Sequence, residues 1–194
     1  LARRLTSGSS SKRITTEGPN IIATLNQEVK ERIDKGIGVI EKGAPRVMAL
    51  MAHFSDPSIM HMMENSGLSI PATVHTLLAS RLWKTKSFIS GEKLAKEQME
   101  RGAFHGSYGE VKRAAEAAQE FKVDGVIWNY LFNCRPLALL SHLLKQVVEK
   151  ETRIPVLSLE MDMYDSSNYS TEALRTGVET FTNMLRARKA SAKV

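Results

Sequence analysis

The only cysteine of the chain, Cys134, is the residue whose type and position point most directly to chemistry. It follows a largely apolar run at 125–132 and precedes a leucine-rich segment that begins at Pro136. The thiol is therefore predicted between the end of a strand and the start of a helix, where open α/β sheets bind ligands. A proline suits the first turn of a helix, and the positive end of the helix dipole favours a thiolate there. Against this stands the rule that a lone cysteine is most often a small buried hydrophobe.

On local chemistry alone, three roles stay open for Cys134: a core residue, a nucleophile, or one ligand of a metal centre. His53, just after the first predicted strand, could act as the base for a nucleophile. An iron–sulfur ligand would need further thiolates from another domain or chain, because this chain has no second cysteine. The acidic cluster of Glu160, Asp162 and Asp165 is more typical of caps and solvated loop carboxylates, so no complete metal cage is predicted within the chain.

Elements with strand and helix patterns alternate along the chain and would position these residues. Apolar runs predict strands at 47–51, 69–75, 125–130 and 154–159. Helical spacing and capping signals predict helices at 20–36, 57–67, 92–101, 107–121, 136–150 and 170–188. This alternation predicts an α/β fold: a flavodoxin-like three-layer α/β/α arrangement around a four-stranded parallel sheet in the order 2-1-3-4. Pro71 indicates that the second strand lies at an edge of the sheet.

The predicted switch point lies between the first and third strands, so the loops after Met51, Tyr130 and Leu159 should converge at one edge of the sheet. The candidate residues for a cofactor and substrate cleft at that edge are His53, Ser55, Asn133, Cys134 and Glu160.

Several function classes lack the residues that they need. No glycine-rich phosphate-binding motif follows any predicted strand, which argues against a dinucleotide-dependent dehydrogenase. A phosphoacceptor receiver domain would need acidic residues where the chain has His53 and either Asn129 or Asn133. No apolar run is long enough to cross a membrane and no signal-peptide core begins the chain, so a cytoplasmic protein without membrane contact is expected.

The net charge of +6 is concentrated at the two ends of the chain. Residues 1–16 and 186–194 together carry eight basic residues and no acidic one, which leaves a net charge of −2 for the segment between them. A nearly neutral body argues against nucleic-acid binding. The Ser-rich, basic start predicts a linker or inter-domain junction at 1–19, followed by one domain at 20–194.

The second half of the chain resembles a known family. The runs DGVI at 124–127, NCRP at 133–136 and IPVLSLEMD at 154–162 occur in the order and spacing of the 2-hydroxyacyl-CoA dehydratases. Matching pieces follow at 169–170, 174–176, 178–181 and 184–185, and the stretch 31–47 is similar to the lead-in of the family's second domain. The family also includes the cluster-bearing subunits of ATP-dependent benzoyl-CoA reductases.

The resemblance implies a two-domain subunit with an iron–sulfur cluster, usually [4Fe-4S], held between two flavodoxin-like domains by three cysteines. Cys134 matches the ligand that the second domain supplies. The resemblance further implies a homologous partner subunit, an acyl-CoA substrate, anaerobic chemistry, and an activator protein that hydrolyses ATP to deliver one electron. That electron forms a ketyl radical anion at the thioester carbonyl, from which the hydroxyl group is expelled.

The chain departs from the family pattern because the two other cysteines, and with them the whole first domain, are absent from it. The isolated chain is therefore expected to hold no cluster and to be inactive. Gly177 is a smaller departure, since a second basic residue is frequent there. Two other functions stay open: a benzoyl-CoA reductase-type subunit that reduces an aromatic acyl-CoA, and a non-catalytic flavodoxin-like binding module with a buried Cys134.

Overall fold

A computed structural model of the chain describes residues 17–51, 57–73, 90–92, 108–162 and 165–191. The chain divides into two compact units, one ending at Lys42 and the other beginning at Gly43. The first contains helix α1 (Glu17–Asp34). The elements of the second unit are β1 (Arg46–Met51), α2 (Pro57–Asn65), β2 (Ser69–Thr73), α3 (Tyr108–Glu120), β3 (Gly125–Leu131), α4 (Arg135–Thr152), β4 (Val156–Met161), a 3-10 turn (Ser166–Asn168) and α5 (Thr171–Ser191).

Helix α1 has the predicted apolar spacing, but its apolar side chains are not buried. It begins at Glu17, a few residues before the predicted start, and its chain turns at Gly36, where φ is +65°. Ile22, Val29 and Ile33 are 45%, 45% and 70% exposed. These three apolar side chains are therefore exposed among the described residues, whereas Leu25 on the same stripe is half-buried.

The second unit is built on a four-stranded sheet in the order β2-β1-β3-β4, with every neighbouring pair parallel. This confirms the predicted three-layer α/β fold and strand order. β3 pairs with β1 from Val47–Gly125 to Met51–Asn129, and with β4 from Val126–Val156 to Leu131–Met161. Among the described residues, the last two residues of β3 are paired with β4 alone.

The edge strand β2 shows the effect of its proline. Arg46 pairs with Ser69 and Met48 with Ala72, so β2 advances by three residues where β1 advances by two. The irregularity includes Pro71, which has no N–H for the ladder and is tolerated at edges and bulges. The predicted edge position is confirmed; the end of the predicted strand, at 74–75, lies outside the described residues.

Two hydrophobic clusters cover the two faces of the sheet. Helices α3 and α4 bury one face, whose largest fully buried members include Met48, Val111, Val126, Leu140, Leu144 and Val148. Helices α2 and α5 bury the other, with Ile59, Met63, Leu68, Ile127, Val178 and Leu185. We call these the α3/α4 cluster and the α2/α5 cluster. The predicted buried face of the last helix, Leu174, Val178, Phe181 and Leu185, is confirmed.

Some boundaries differ from the predicted ones for local reasons. β4 begins at Val156 and not at 154, because Arg153 takes a left-handed conformation with φ +61° that ends α4, and Pro155 follows it. The Glu149 carboxylate then accepts a hydrogen bond from the Val156 N–H at 3.0 Å, which ties α4 to the start of β4. The predicted helix at 92–101 lies outside the described residues apart from its first position.

A polar clasp holds the amino edge of the sheet, at the opposite end from the candidate site. The Asp124 carboxylate accepts hydrogen bonds from the Arg46 N–H at 2.8 Å and from the Lys189 ammonium at 2.9 Å. The Arg46 guanidinium donates to the carbonyls of Phe121 and Lys122, which close the turn after α3. This clasp joins β1, β3 and α5.

Candidate functional site

A tight turn after β3 positions Cys134. Its N–H donates to the carbonyl of Leu131 at 3.1 Å, and its own carbonyl accepts from the Ala138 N–H at 3.0 Å, within the first turn of α4. Between them Asn133 has a φ of +59°, a left-handed conformation that asparagine adopts more readily than most residues. The chain can therefore leave the strand and enter the helix within three residues.

Cys134 occupies the N-cap position of α4, with φ −89° and ψ 90°. Its thiol makes no capping hydrogen bond, and Pro136 in the first turn has no N–H that would need one. The side chain is half-buried and packs against the α3/α4 cluster. The predicted position of this cysteine, between the end of a strand and the start of a helix, is confirmed. Its sulfur forms neither a disulfide nor a capping hydrogen bond in the described structure.

Tyr130 and Glu160 lie side by side where β3 and β4 end. They are register partners, so both side chains project from the same face of the sheet. Tyr130 is half-buried against the α3/α4 cluster, as Cys134 is, whereas Glu160 is exposed. Burial and, to a smaller extent, the negative charge of Glu160 raise the pKa of the Tyr130 phenol above its usual range. The pair therefore presents a neutral hydroxyl beside a carboxylate.

Several side chains after β4 cap the backbone of the 3-10 turn and its neighbours. The Asp162 carboxylate accepts from the Asn168 amide at 2.7 Å and from the Asp165 N–H at 3.2 Å. The Asp165 carboxylate accepts from the hydroxyl and the N–H of Ser167, and these hydrogen bonds lower the pKa of Asp165 below its usual range. These contacts agree with the capping role that is typical of such carboxylates.

The structure brings some of the predicted cleft residues to one edge. Asn133, in the turn, is exposed, and Cys134 follows it. Glu160 is also at this edge, but it is a residue of β4 and not of the loop after it. His53 and Ser55 lie outside the described residues. Asn129, by contrast, is buried, and its amide faces the Leu159 carbonyl at 3.4 Å, so it contributes to strand packing.

In the sequence Tyr130 is the last residue of the predicted third strand, and nothing in its type or spacing selects it as a site residue. The alternation along β3 indicates which face it occupies, but its neighbour on β4 depends on a register that the sequence does not display. Pairing with Glu160 is the feature that makes Tyr130 a candidate site residue.

The described side chains at the carboxyl edge of the sheet do not form a complete metal site. Across the described ranges, no group of three or more His, Cys, Asp or Glu side chains is arranged to hold a metal ion. With one cysteine in 194 residues, the chain can offer a cluster one thiolate.

The described residues contain no helix that is long and apolar enough to cross a bilayer.

The open parallel sheet, covered by helices on both faces, and the polar groups at its carboxyl edge define a three-layer α/β protein. The sequence model of one family, described as 2-hydroxyglutaryl-CoA dehydratase, D-component, matches residues 11–185. The chain belongs to this family, which confirms the resemblance found in the sequence. A search of curated proteins gave no significant match.

Proposed function

We propose that this chain is a domain of the iron–sulfur subunit of a 2-hydroxyacyl-CoA dehydratase, and that Cys134 supplies one thiolate ligand of a [4Fe-4S] cluster. The observation that carries the proposal is the family match, which extends over 175 of the 194 residues, from 11 to 185. The enzyme would be a lyase that removes water from a 2-hydroxyacyl-CoA in the cytoplasm.

The position of Cys134 suits a cluster ligand. Its thiol is free of hydrogen bonds, half-buried, and located where a tight turn leads into a helix. Iron–sulfur clusters are held by cysteine thiolates, and three are proposed here. The chain supplies one, so the two others would come from a second domain or chain.

The remaining residues of the edge would bind and orient the substrate. Asn133, next to Cys134 in the turn, and Glu160, near the end of β4, offer exposed polar side chains at this edge, and His53 and Ser55 stay predicted members of the same cleft. Cys134 and Tyr130 pack against the apolar side chains of the α3/α4 cluster, which would help to keep water from a bound substrate on that side. When bound, the cluster would supply single-electron transfer to the acyl thioester.

The proposal includes three partners: an acyl-CoA substrate, a homologous subunit, and an ATP-hydrolysing activator that donates the electron. The family match supports a dehydratase component in general, and the activator is proposed because the family resemblance implies it.

The test is turnover by the complete enzyme, prepared anaerobically with its partner subunit and supplied with activator, ATP and a reductant. The native protein should convert a 2-hydroxyacyl-CoA to the 2-enoyl-CoA, and Cys134→Ala should abolish the conversion. Leu139→Ala is the matched control, because Leu139 is 73% exposed on the outer side of the same helix. Full activity of Cys134→Ala, or reduction of benzoyl-CoA in place of dehydration, would overturn the proposal.

A further inference from the structure

The Tyr130–Glu160 pair places a hydroxyl beside a carboxylate, an arrangement that the packing of the sheet does not require. Neighbouring parallel strands lie about 4.8 Å apart, so the two side chains start close together and project from one face. Among the described residues, the Tyr130 hydroxyl has no hydrogen-bond partner, and Glu160 is exposed with no ion pair. The pair therefore offers one hydrogen-bond donor and one anionic acceptor, side by side, at the carboxyl edge.

The donor character of Tyr130 is protected by its surroundings. Its ring packs against the α3/α4 cluster, so the hydroxyl is held at the boundary between the core and the edge. Burial and the Glu160 charge both oppose ionisation of the phenol by raising its pKa. A phenol so placed donates a hydrogen bond and does not compete with Glu160 as a second anion.

This pattern is complementary to one end of the proposed substrate. A 2-hydroxyacyl thioester carries a carbonyl oxygen, which only accepts hydrogen bonds, and on the adjacent carbon a hydroxyl group, which can donate one. The neutral Tyr130 hydroxyl is a donor that matches the carbonyl oxygen. The Glu160 carboxylate is an acceptor that matches the 2-hydroxyl group. An acyl-CoA without the 2-hydroxyl group would leave the carboxylate without its partner.

We propose that the Tyr130 hydroxyl donates a hydrogen bond to the thioester carbonyl oxygen, and that the Glu160 carboxylate accepts one from the 2-hydroxyl group. The inference rests on the proposed function and adds to it the residues that distinguish hydroxylated from unhydroxylated acyl chains. Tyr130 would bind both kinds of substrate, and Glu160 would provide the selectivity between them. Cys134 lies in the turn that follows β3 and packs against the same cluster as Tyr130, and its N–H donates to the carbonyl of Leu131, the residue after Tyr130.

The test measures binding without turnover, in the oxidised complete enzyme with its partner subunit and without activator. Dissociation constants are measured by calorimetry for 2-hydroxyglutaryl-CoA and glutaryl-CoA, and for the shorter pair lactoyl-CoA and propionyl-CoA. The native enzyme should prefer the hydroxylated member of the pair that it binds more tightly.

Each variant has its own expected signature. Tyr130→Phe should weaken the binding of the hydroxylated and the unhydroxylated acyl-CoA equally, by about two- to tenfold, which is the range for a neutral hydrogen bond. Glu160→Gln should weaken only the hydroxylated member, by about tenfold, as expected for loss of a charged acceptor. Glu151→Gln, an exposed carboxylate near the far end of α4, should leave all four constants unchanged.

The outcomes separate this inference from the function on which it rests. Iron content is measured in every preparation, and Tyr130→Phe and Glu160→Gln should keep the native amount. With the native iron content kept, two results would overturn the recognition proposal while the dehydratase proposal stands. In one, Glu160→Gln weakens the binding of both acyl-CoA members equally. In the other, Tyr130→Phe weakens the binding of neither. The recognition proposal is also overturned if the native enzyme binds no member of either pair.

Discussion

At the scale of single residues, the candidate site depends on how the chain leaves β3. Asn133 accepts a left-handed backbone, and Cys134 can then cap α4 directly after the strand. The pattern of an apolar run, a cysteine and a proline was enough to predict this position. The pairing of Tyr130 with Glu160 was not predictable, because it depends on the register between two strands that are 30 residues apart.

The ionisation of Tyr130 offers a direct test of that pairing. Because burial and the Glu160 charge raise its pKa, the phenol should ionise at higher pH than a free tyrosine. Glu160→Gln removes the smaller of the two causes, so the pKa should fall part of the way towards its usual value. The measurement is the tyrosinate absorbance against pH, with Tyr130→Phe used to identify the signal. An unchanged titration in Glu160→Gln would show that the two side chains do not interact.

At the scale of elements, helix α4 holds the proposed ligand in place by burying one face against β3 and β4. Leu137, Leu140, Leu144 and Val148 form its buried face, and the Ser141 hydroxyl lies 3.0 Å from that of Ser158 on β4. The helical spacing of these leucines was visible in the sequence. The left-handed residue that ends the helix was not, since nothing in the type of Arg153 favours that conformation.

Two leucines of α4 should respond very differently to truncation. Leu144 is fully buried, so Leu144→Ala should lower the free energy of unfolding by about 2–5 kcal/mol through lost burial and a cavity. Leu139 is 73% exposed, and Leu139→Ala should change the free energy of unfolding by less than about 0.5 kcal/mol. Denaturant unfolding of both variants measures the difference. Equal losses would contradict the orientation of the helix.

The packing of α5 against β3 and β4 predicts opposite effects for two glycines. A Cβ at Gly125 would lie 2.8 Å from Cζ of Phe181 and 2.9 Å from Cδ1 of Leu185, so Gly125→Ala should destabilise the fold by about 1–3 kcal/mol. Gly177, inside α5, has room for a Cβ at 3.7 Å from Leu159, and Gly177→Ala should stabilise by about 0.5–1 kcal/mol. Thermal unfolding reports both. A neutral Gly125→Ala would mean that α5 packs less closely than described.

At the scale of the whole molecule, the alternation of strand and helix patterns was sufficient to predict the α/β class and the strand order, and the resemblance of the motifs in the second half predicted the family. They did not indicate that Ile22, Val29 and Ile33 of α1 are exposed, because the spacing of these residues is typical of a buried helix face. Amphipathic spacing identifies an apolar face, but it does not say what covers that face.

The number of thiolates leads to a prediction for the isolated chain. With Cys134 as its only cysteine, the chain of 194 residues should not assemble a stable cluster when it is reconstituted anaerobically with iron and sulfide. Iron analysis and the visible spectrum after gel filtration measure this. A stoichiometric [4Fe-4S] centre in the isolated chain would contradict the proposed division of ligands.

The central claim is that Cys134 binds the cluster of the complete subunit. The most direct measurement is the iron and sulfide content of anaerobically purified native and Cys134→Ala enzyme with the partner subunit, together with their thermal unfolding. We predict that Cys134→Ala loses most of the iron of this subunit while its unfolding temperature stays within a few degrees of native, since truncating a half-buried cysteine removes little packing. Native iron content with an unchanged cluster spectrum would contradict the account.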